Sequence, residues 1–168
     1  NAPEACLNNP AGYQWFPIPH MDGTPEVEAA VRAGRSTALL NAYLDEIAGQ
    51  EIGPDRTILL GFSQGTMMAL QVAFRRPAPF AGIVGFSGRL LRPESLAAEI
   101  VSKPPVLLVH GDADPVVPFA FLDEAVWTLE ACSVPSTSHV SKGVGHGIAR
   151  DGLGEALIFM HADLGLTG

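Results

Sequence analysis

Three short apolar runs constrain the fold of this chain more than any other feature. They occupy residues 57–62, 80–86 and 105–110 and consist mostly of Val, Ile, Leu and Phe. Such near-continuous runs are typical of strands that are covered on both faces. Helical patterns follow them at residues 65–76, 93–100 and 119–132, before a further strand at 136–141 and a last helix at about 152–164. The alternation predicts an α/β fold with a mostly parallel sheet flanked by helices.

The first 25 residues differ from this pattern. Pro3, Pro10, Pro17 and Pro19 exclude a continuous helix or a central strand, so an irregular segment is expected there. The sequence Thr24-Pro25-Glu26 predicts the start of a helix that continues to about residue 49, with Thr24 as N-cap. Its apolar face is expected to include Val27, Val31, Tyr43 and Leu44. All 168 residues are expected to form a single domain.

Charge and composition exclude several classes of partner. The net charge of −8 argues against nucleic-acid binding and against docking on anionic membranes. No apolar run approaches the ~18 residues of a membrane-spanning helix, and no signal peptide is visible. A cytoplasmic protein is therefore expected, although the chain begins with Asn1 rather than Met. Cys6 and Cys132 are too few for a disulfide framework and are expected to be free thiols, with a single bridge left open.

A serine follows the first of the apolar runs. In Gly61-Phe62-Ser63-Gln64-Gly65, Ser63 lies between a predicted strand and a predicted helix and has glycines two residues before and after it. This is the nucleophile elbow pattern, in which the strand and helix are expected to leave no room for a Cβ at residues 61 and 65. A competing pattern around Ser87 lacks the second glycine, so Ser87 is expected to be a loop residue.

A serine nucleophile needs a base and an orienting acid. His146 lies in a glycine-rich loop, and Asp112 and Asp114 follow the strand that ends near His110. The order Ser63, Asp114, His146 is that of the α/β-hydrolases. Asp112 could also be the acid, but the turn at Pro115 favours Asp114. A metal site formed by His110, the two aspartates and His146 is a minor alternative, because the spacing is neither helical nor cysteine-based.

These motifs together resemble the phospholipase/carboxylesterase family of small α/β-hydrolases, which includes the acyl-protein thioesterases. The matching stretches are Gly61–Gly65, His110–Pro118 and Gly145–Ile148, and Ala2–Glu4 and Gly12–Pro17 resemble the bacterial members. The resemblance implies that Ser63 is the nucleophile, Asp114 the acid and His146 the base, and that the Gln64 amide belongs to the oxyanion hole. It also implies substrate contacts from Trp15 and Phe16.

The function implied by the resemblance is that of a serine carboxylesterase. It would hydrolyse small-molecule esters of short to medium acyl chain through an acyl-enzyme, with no metal or organic cofactor. A thioesterase or lysophospholipase with the same three residues is the alternative, as is an impaired relative or fragment that binds acyl ligands without turnover.

One part of the family pattern is not found in the sequence. The family has an additional His-Gly loop that supplies a second oxyanion-hole amide, and this loop and the first strands are expected to lie before Asn1. An uncovered sheet edge invites pairing with another chain. A homo-oligomer, with a dimer favoured, is therefore expected.

Overall fold

The computed structural model describes residues 2–6, 9, 11–50 and 52–165. The chain divides into two compact units, one that ends at Glu51 and one that begins at Ile52. None of the helices in the described part of the chain is long and apolar enough to cross a membrane. The thiols of Cys6 and Cys132 are both free, as the cysteine count predicted.

The N-terminal unit is built on one long helix. Strands β1 (Glu4–Ala5) and β2 (Tyr13–Gln14) pair in antiparallel orientation and are followed by the short helix α1 (Pro19–Asp22) and the long helix α2 (Glu26–Ala48). Arg32 of α2 binds Glu4 with an Nη2–Oε2 distance of 2.6 Å, and Ser36 donates a hydrogen bond to the carbonyl of Trp15. These contacts attach the proline-rich segment to one side of the helix.

The buried side of α2 differs from the predicted apolar face. Leu44 is buried, as expected, whereas Val27, Val31 and Tyr43 are exposed. The reason is that the segment around β1 and β2 packs on the side of the helix that carries Arg32 and Ser36. Specific polar contacts, rather than the apolar pattern, orient this helix.

The predicted cap of α2 is also wrong. The helix begins at Glu26 with Pro25 at the N-cap position and no side-chain cap. Both the amide and the hydroxyl of Thr24 instead donate to the Asp22 carboxylate, which lowers the pKa of Asp22. Because the Thr24 side chain is engaged in this turn, it does not cap the helix that follows.

The C-terminal unit contains the predicted parallel sheet. Its strands lie in the order β3-β4-β5-β6, each parallel to its neighbours. They are β3 (Ile58–Phe62), β4 (Gly82–Phe86), β5 (Val106–Gly111) and β6 (Ser136–Ser141). The helices of the unit are α3 (Gln64–Ala73), α4 (Pro93–Glu99), α5 (Ala120–Ala131) and α6 (Arg150–Asp163). The chain therefore has the α/β architecture that the sequence predicts.

Helices cover both faces of this sheet. Every residue of β4 and β5 is buried. On one face the side chains of the two strands pack against α6 in a cluster formed by Val84, Phe86, Leu107, Val109 and Ala156. On the other face Thr66 of α3 lies so close to Gly85 that a Cβ there would collide with the threonine methyl group. Burial on both faces explains why these strands are continuous apolar runs.

The carboxyl ends of the four strands lie at one edge of the sheet, since all four are parallel. Ser63 follows β3, and Ser87 follows β4. The acidic turn with Asp114 follows β5, and the glycine-rich loop with His146 follows β6. This is the edge at which α/β proteins generally bind ligands.

Candidate active site

Ser63 occupies a strained turn between β3 and α3. Its backbone angles, φ 53° and ψ −118°, lie in a region that residues other than glycine rarely adopt. Such strain persists only where neighbouring contacts impose it. Here the Ser63 amide donates to the carbonyl of Phe86 over 2.8 Å, and Thr66 Oγ1 lies 2.9 Å from the carbonyl oxygens of both Gly61 and Phe86. The turn is thus attached to the end of the neighbouring strand β4.

The two glycines of the elbow are not equivalent. A Cβ at residue 61 would collide with the backbone of Gly65 and Thr66, as the steric argument predicts. A Cβ at residue 65 would meet no described atom within 4 Å, so the same argument is wrong for Gly65. Residue 65 lies on the open side of the first helical turn, where the helix does not approach the strand.

The structure brings Ser63, His146 and Asp114 together. Nε2 of His146 lies 3.0 Å from Ser63 Oγ, and Nδ1 of the same ring lies 2.8 Å from Asp114 Oδ2. Since an ionised carboxylate only accepts hydrogen bonds, the His146 proton is on Nδ1 and Nε2 is free to accept from the serine hydroxyl. The Asp114 side chain is fully buried, whereas the His146 side chain is 18% exposed.

The surroundings of Asp114 favour its charged form. Burial opposes ionisation, but hydrogen bonds from the His146 ring and from the amides of Val117 and Val116 outweigh it and lower the pKa of Asp114. The two amides donate to Oδ1 over 2.9 and 2.8 Å, respectively. One carboxylate oxygen therefore anchors the acidic turn, and the other remains directed at His146.

Asp112 has a different position. Its Oδ1 accepts the amide of Gly143 over 2.6 Å, and Lys142 Nζ lies 3.3 Å from its Oδ2. The Gly143 hydrogen bond is the main cause of its lowered pKa, with Lys142 contributing. Asp112 thus holds the backbone of the loop that carries His146, whereas Asp114 is the carboxylate in contact with the imidazole ring.

The acidic turn and the histidine loop also meet backbone to backbone. The Ala113 amide donates to the Val144 carbonyl over 3.0 Å. A Cβ on Gly111 would collide with that same carbonyl, so only glycine permits this approach.

As for the metal alternative, the part of the chain that the structure describes contains no group of three or more His, Cys, Asp and Glu side chains able to hold a metal ion.

The site has two aromatic neighbours, Phe62, which was not predicted from the sequence, and His110, which was predicted near the site only in the metal alternative. The Phe62 ring lies 4.8 Å from the His146 ring, centre to centre, at an angle of 46°. His110 is buried behind Asp114, with its Nε2 3.5 Å from Asp114 Oδ2. The position of Phe62, immediately before the elbow serine at the end of its strand, is the signal that could have indicated a contact with the site.

The remaining predicted site residues lie in two places. Gln64 is the first residue of α3, so its backbone amide belongs to the first turn of the helix, directly after Ser63. Trp15 and Phe16 are in the N-terminal unit, where Phe16 is buried. Trp15 lines an open apolar cavity of about 590 Å³ together with Ala2, Pro3, Leu39, Leu40 and Tyr43. A role of Trp15 and Phe16 in substrate binding stays a prediction.

Comparison with known proteins identifies the family. A model of the phospholipase/carboxylesterase family matches residues 1–163. The chain belongs to this family. It is 44% identical to esterase PE8, whose crystal structure it matches with a TM-score of 0.90 over 98% of this chain and 76% of that one.

Two curated relatives are more distant. The chain is 28% identical to esterase YpfH of Escherichia coli over 144 residues, which cover 83% of this chain and 58% of the relative. It is 35% identical to acyl-protein thioesterase 1 of Neurospora crassa over 145 residues, which cover 74% of this chain and 58% of the relative. The chain thus spans less than two thirds of the length of each of these two proteins.

Proposed function

We propose that this chain is a serine esterase that hydrolyses carboxylic esters of short to medium acyl chain. The observation that carries the proposal is the unbroken path of hydrogen bonds from Ser63 Oγ through His146 to Asp114, with steps of 3.0 and 2.8 Å. An isolated serine hydroxyl is a weak nucleophile, and this arrangement supplies the base and the acid that activate it. Membership of the family supports the same reaction class.

The proposed reaction has two halves. Ser63 Oγ attacks the ester carbonyl carbon while His146 Nε2 takes the hydroxyl proton, and the protonated ring then gives that proton to the departing alkoxide. The alcohol leaves, and an acyl-enzyme remains on Ser63. Water, deprotonated by His146, then attacks the acyl carbon, and the protonated ring returns that proton to Ser63 Oγ as the bond to the serine breaks and the acid leaves. The Asp114 carboxylate stabilises the imidazolium in both halves and keeps Nε2 directed at the serine.

The backbone amide of Gln64 is the proposed donor to the oxyanion of the tetrahedral intermediates. It follows the nucleophile directly and lies at the N-terminus of α3, where the helix dipole also favours negative charge. An oxyanion donor of this kind typically contributes about 10²–10³ in turnover. The family resemblance supports the same assignment.

Covalent labelling tests the nucleophile. A fluorophosphonate probe is expected to label the wild type and to leave Ser63→Ala unlabelled, and the same variant is expected to lose hydrolysis of p-nitrophenyl acetate. Ser87→Ala is the matched control, because Ser87 also follows a parallel strand and also has a positive φ, of 46°. Labelling that persists in Ser63→Ala and disappears in Ser87→Ala would contradict the proposal.

A thioesterase or lysophospholipase is the second candidate for the same site, and the similarity to a Neurospora crassa acyl-protein thioesterase favours the thioesterase. Matched oxygen esters and thioesters of two, four, eight and sixteen carbons separate the candidates by their kcat/KM values. A maximum at two to eight carbons with oxygen esters supports the carboxylesterase. Labelling of Ser63 without turnover of any of these substrates would indicate an impaired relative that binds acyl ligands.

The predicted substrate contacts of Trp15 and Phe16 are tested with the same series. Trp15 lines an apolar cavity in its unit, which supports a role in holding an acyl chain. Trp15→Ala is then expected to raise KM for the eight-carbon ester more than KM for the acetate. A uniform change in stability with no change in chain-length preference would remove Trp15 from the substrate site. Because Phe16 is buried, it is replaced by the apolar residue Leu rather than by Ala. The KM values of Phe16→Leu are compared on the same two esters.

We further propose that the two units act as one hydrolase domain and that the chain forms a homodimer. The family match runs through both units, which supports the single domain. In the described residues β3 pairs only with β4, and Leu60 on β3 is 52% exposed, which supports association along this edge. Light scattering after size-exclusion chromatography is expected to show a dimer that Leu60→Lys weakens. A monomeric wild type would contradict the dimer, and two separate thermal transitions would contradict the single domain.

A further inference from the structure

His110 is a buried histidine that the proposed reaction does not use. It lies near the end of β5, and its side chain is 1% exposed. Burying an imidazole is costly unless its polar atoms find partners. The ring of Phe119 meets it edge-on at 6.2 Å, so the imidazole is confined between an aromatic side chain and the acidic turn.

The hydrogen bond of His110 fixes its tautomer. Nε2 lies 2.9 Å from the carbonyl oxygen of Val117. A carbonyl oxygen only accepts hydrogen bonds, so Nε2 carries the proton. The same N–H is 3.5 Å from Asp114 Oδ2, which places the positive end of its dipole beside the carboxylate that contacts His146.

Val117 is consequently held from both sides. Its carbonyl accepts from His110, while its amide donates to Asp114 Oδ1 over 2.9 Å. His110, Val117 and Asp114 therefore form a closed circuit in which a shift of the turn at Val117 would also shift the Asp114 carboxylate. The second carboxylate oxygen of Asp114 has little freedom to leave His146 as long as this circuit is intact.

We propose that His110 is a positioning residue of the active site, which acts through Val117 and Asp114 to hold the imidazole of His146 in register with Ser63. This inference rests on the proposed function. What the site requires from His110 is a hydrogen-bond donor at the position of Nε2. A side chain that places an N–H there retains the alignment, and one that cannot reach Val117 loses it.

Two amide side chains test this requirement. In His110→Gln the side-chain amide reaches approximately as far as Nε2, whereas in His110→Asn it reaches only about as far as Nδ1. Both variants carry the same polar group into the same buried position, so the reach of the donor is the main difference between them. His110→Leu fills the volume without a donor and replaces His110→Asn in the comparison if the latter does not fold.

Two readouts are needed, because a merely structural role would lower stability alone. The first is kcat and KM for p-nitrophenyl acetate at a temperature at which each variant is folded. The second is the low-field proton resonance of the His146 Nδ1–H, identified by its absence in His146→Ala. Val106→Ala, at the opposite end of β5, is the control for lost packing and is expected to lower the thermal midpoint while leaving both readouts unchanged.

The expected result is a split between the two amides. His110→Gln keeps the resonance and a kcat close to that of the wild type, whereas His110→Asn loses the resonance and about 10–100-fold in kcat with little change in KM, the scale expected for a small misalignment. Equal behaviour of folded His110→Gln and His110→Asn in both readouts overturns the proposal, whether both keep the resonance or both lose it. A wild type that fluorophosphonate does not label rejects the proposed function instead, while the resonance still decides the role of His110.

Discussion

Replacing Asp114 by Asn tests which aspartate of the acidic turn orients His146. It also separates the two functions of the Asp114 carboxylate, which are to anchor the turn through Oδ1 and to orient the His146 ring through Oδ2. The amide oxygen of an asparagine can take the place of Oδ1 and accept the amides of Val116 and Val117, which keeps the turn folded. The NH₂ group is then left facing His146 Nδ1, where Oδ2 accepts a hydrogen bond over 2.8 Å. A donor at this point requires Nδ1 to accept, so the ring proton moves to Nε2.

The consequence for catalysis can be estimated from this tautomer. With its proton on Nε2, His146 can no longer accept the hydroxyl proton across the 3.0 Å that separates it from Ser63 Oγ. In hydrolases with this arrangement the same change lowers kcat by roughly 10⁴, which corresponds to about 5.4 kcal/mol in the activation barrier. Folding stability is expected to change much less, since the contacts of Oδ1 are retained.

Asp112→Asn is the matched control. Its side-chain oxygen still accepts the amide of Gly143, and the variant loses only the ion pair with Lys142, whose side chain is 82% exposed. Exposed ion pairs contribute little to stability, so a change of no more than a few fold in kcat/KM is expected. Both variants are assayed with p-nitrophenyl acetate and by the rate of fluorophosphonate labelling. Equal losses in the two variants, or a larger loss in Asp112→Asn, would refute the reasoning.

Three further predictions concern stability and the environment of the base. Gly61→Ala is expected to destabilise the protein by at least ~1–3 kcal/mol because its Cβ meets backbone, while Gly65→Ala is expected to leave the thermal midpoint equal or higher; equal losses would contradict the difference between the two glycines. Glu99→Gln removes the ion pairs that lower the pKa of Glu99, of which the hydrogen-bonded pair with Arg75 is the most important. The thermal midpoint of this variant should therefore fall below that of the wild type at pH 7. Because the pKa of Glu99 is lowered on folding, the difference in thermal midpoint between wild type and variant should be fully present above pH ~4.3, the value of an unfolded glutamate. It should disappear as the pH falls through the pKa of Glu99 in the folded protein. A difference that does not depend on pH would contradict this prediction. Phe62→Leu is expected to reduce kcat/KM about two- to tenfold through loss of the ring contact with His146, and an unchanged value would remove that contact from the argument.

Much of the C-terminal unit could be predicted from the sequence because its central strands, β4 and β5, are buried on both faces. The run at 57–62 was expected to be covered in the same way, but β3 lies at the edge of the described sheet and leaves Leu60 and Phe62 exposed. Where boundaries differ, local hydrogen bonding explains the difference. The pattern extended the helix after Ser63 to Arg76, but α3 ends at Ala73, since Arg76 donates to the carbonyl three residues before it as the chain approaches Pro77. The strand predicted from Phe80 starts at Gly82, because the amide of Ala81 donates to carbonyls of the loop before β3 instead of to a strand.

The N-terminal unit was less predictable for a physical reason. Its arrangement depends on single polar contacts, such as Arg32 with Glu4 and Ser36 with the carbonyl of Trp15, that have no periodicity. A helix oriented by such contacts can expose Val27 and Val31. The hydrophobic spacing therefore predicted the position of α2 along the chain correctly. It predicted a buried face that includes Val27 and Val31, although both side chains are exposed.

The candidate site depends both on the parallel sheet, which the apolar pattern predicts, and on single polar contacts, which it does not predict. Parallel register places Phe62 beside Phe86, Phe86 beside Val109, and Gly111 beside Ser141, so the segments that follow the strands must meet at one edge. That much follows from recognising four parallel strands, and it is why residues 32 and 83 positions apart could be grouped before their distances were known. Parallel register does not determine whether the serine, imidazole and carboxylate come within hydrogen-bond distance. The final alignment depends on close backbone contacts between the acidic turn and the histidine loop and on the hydrogen bond from buried His110 to Val117. These contacts involve individual atoms in loops, which no pattern of residue types encodes, and substitutions that alter them are therefore expected to change turnover before they change the fold.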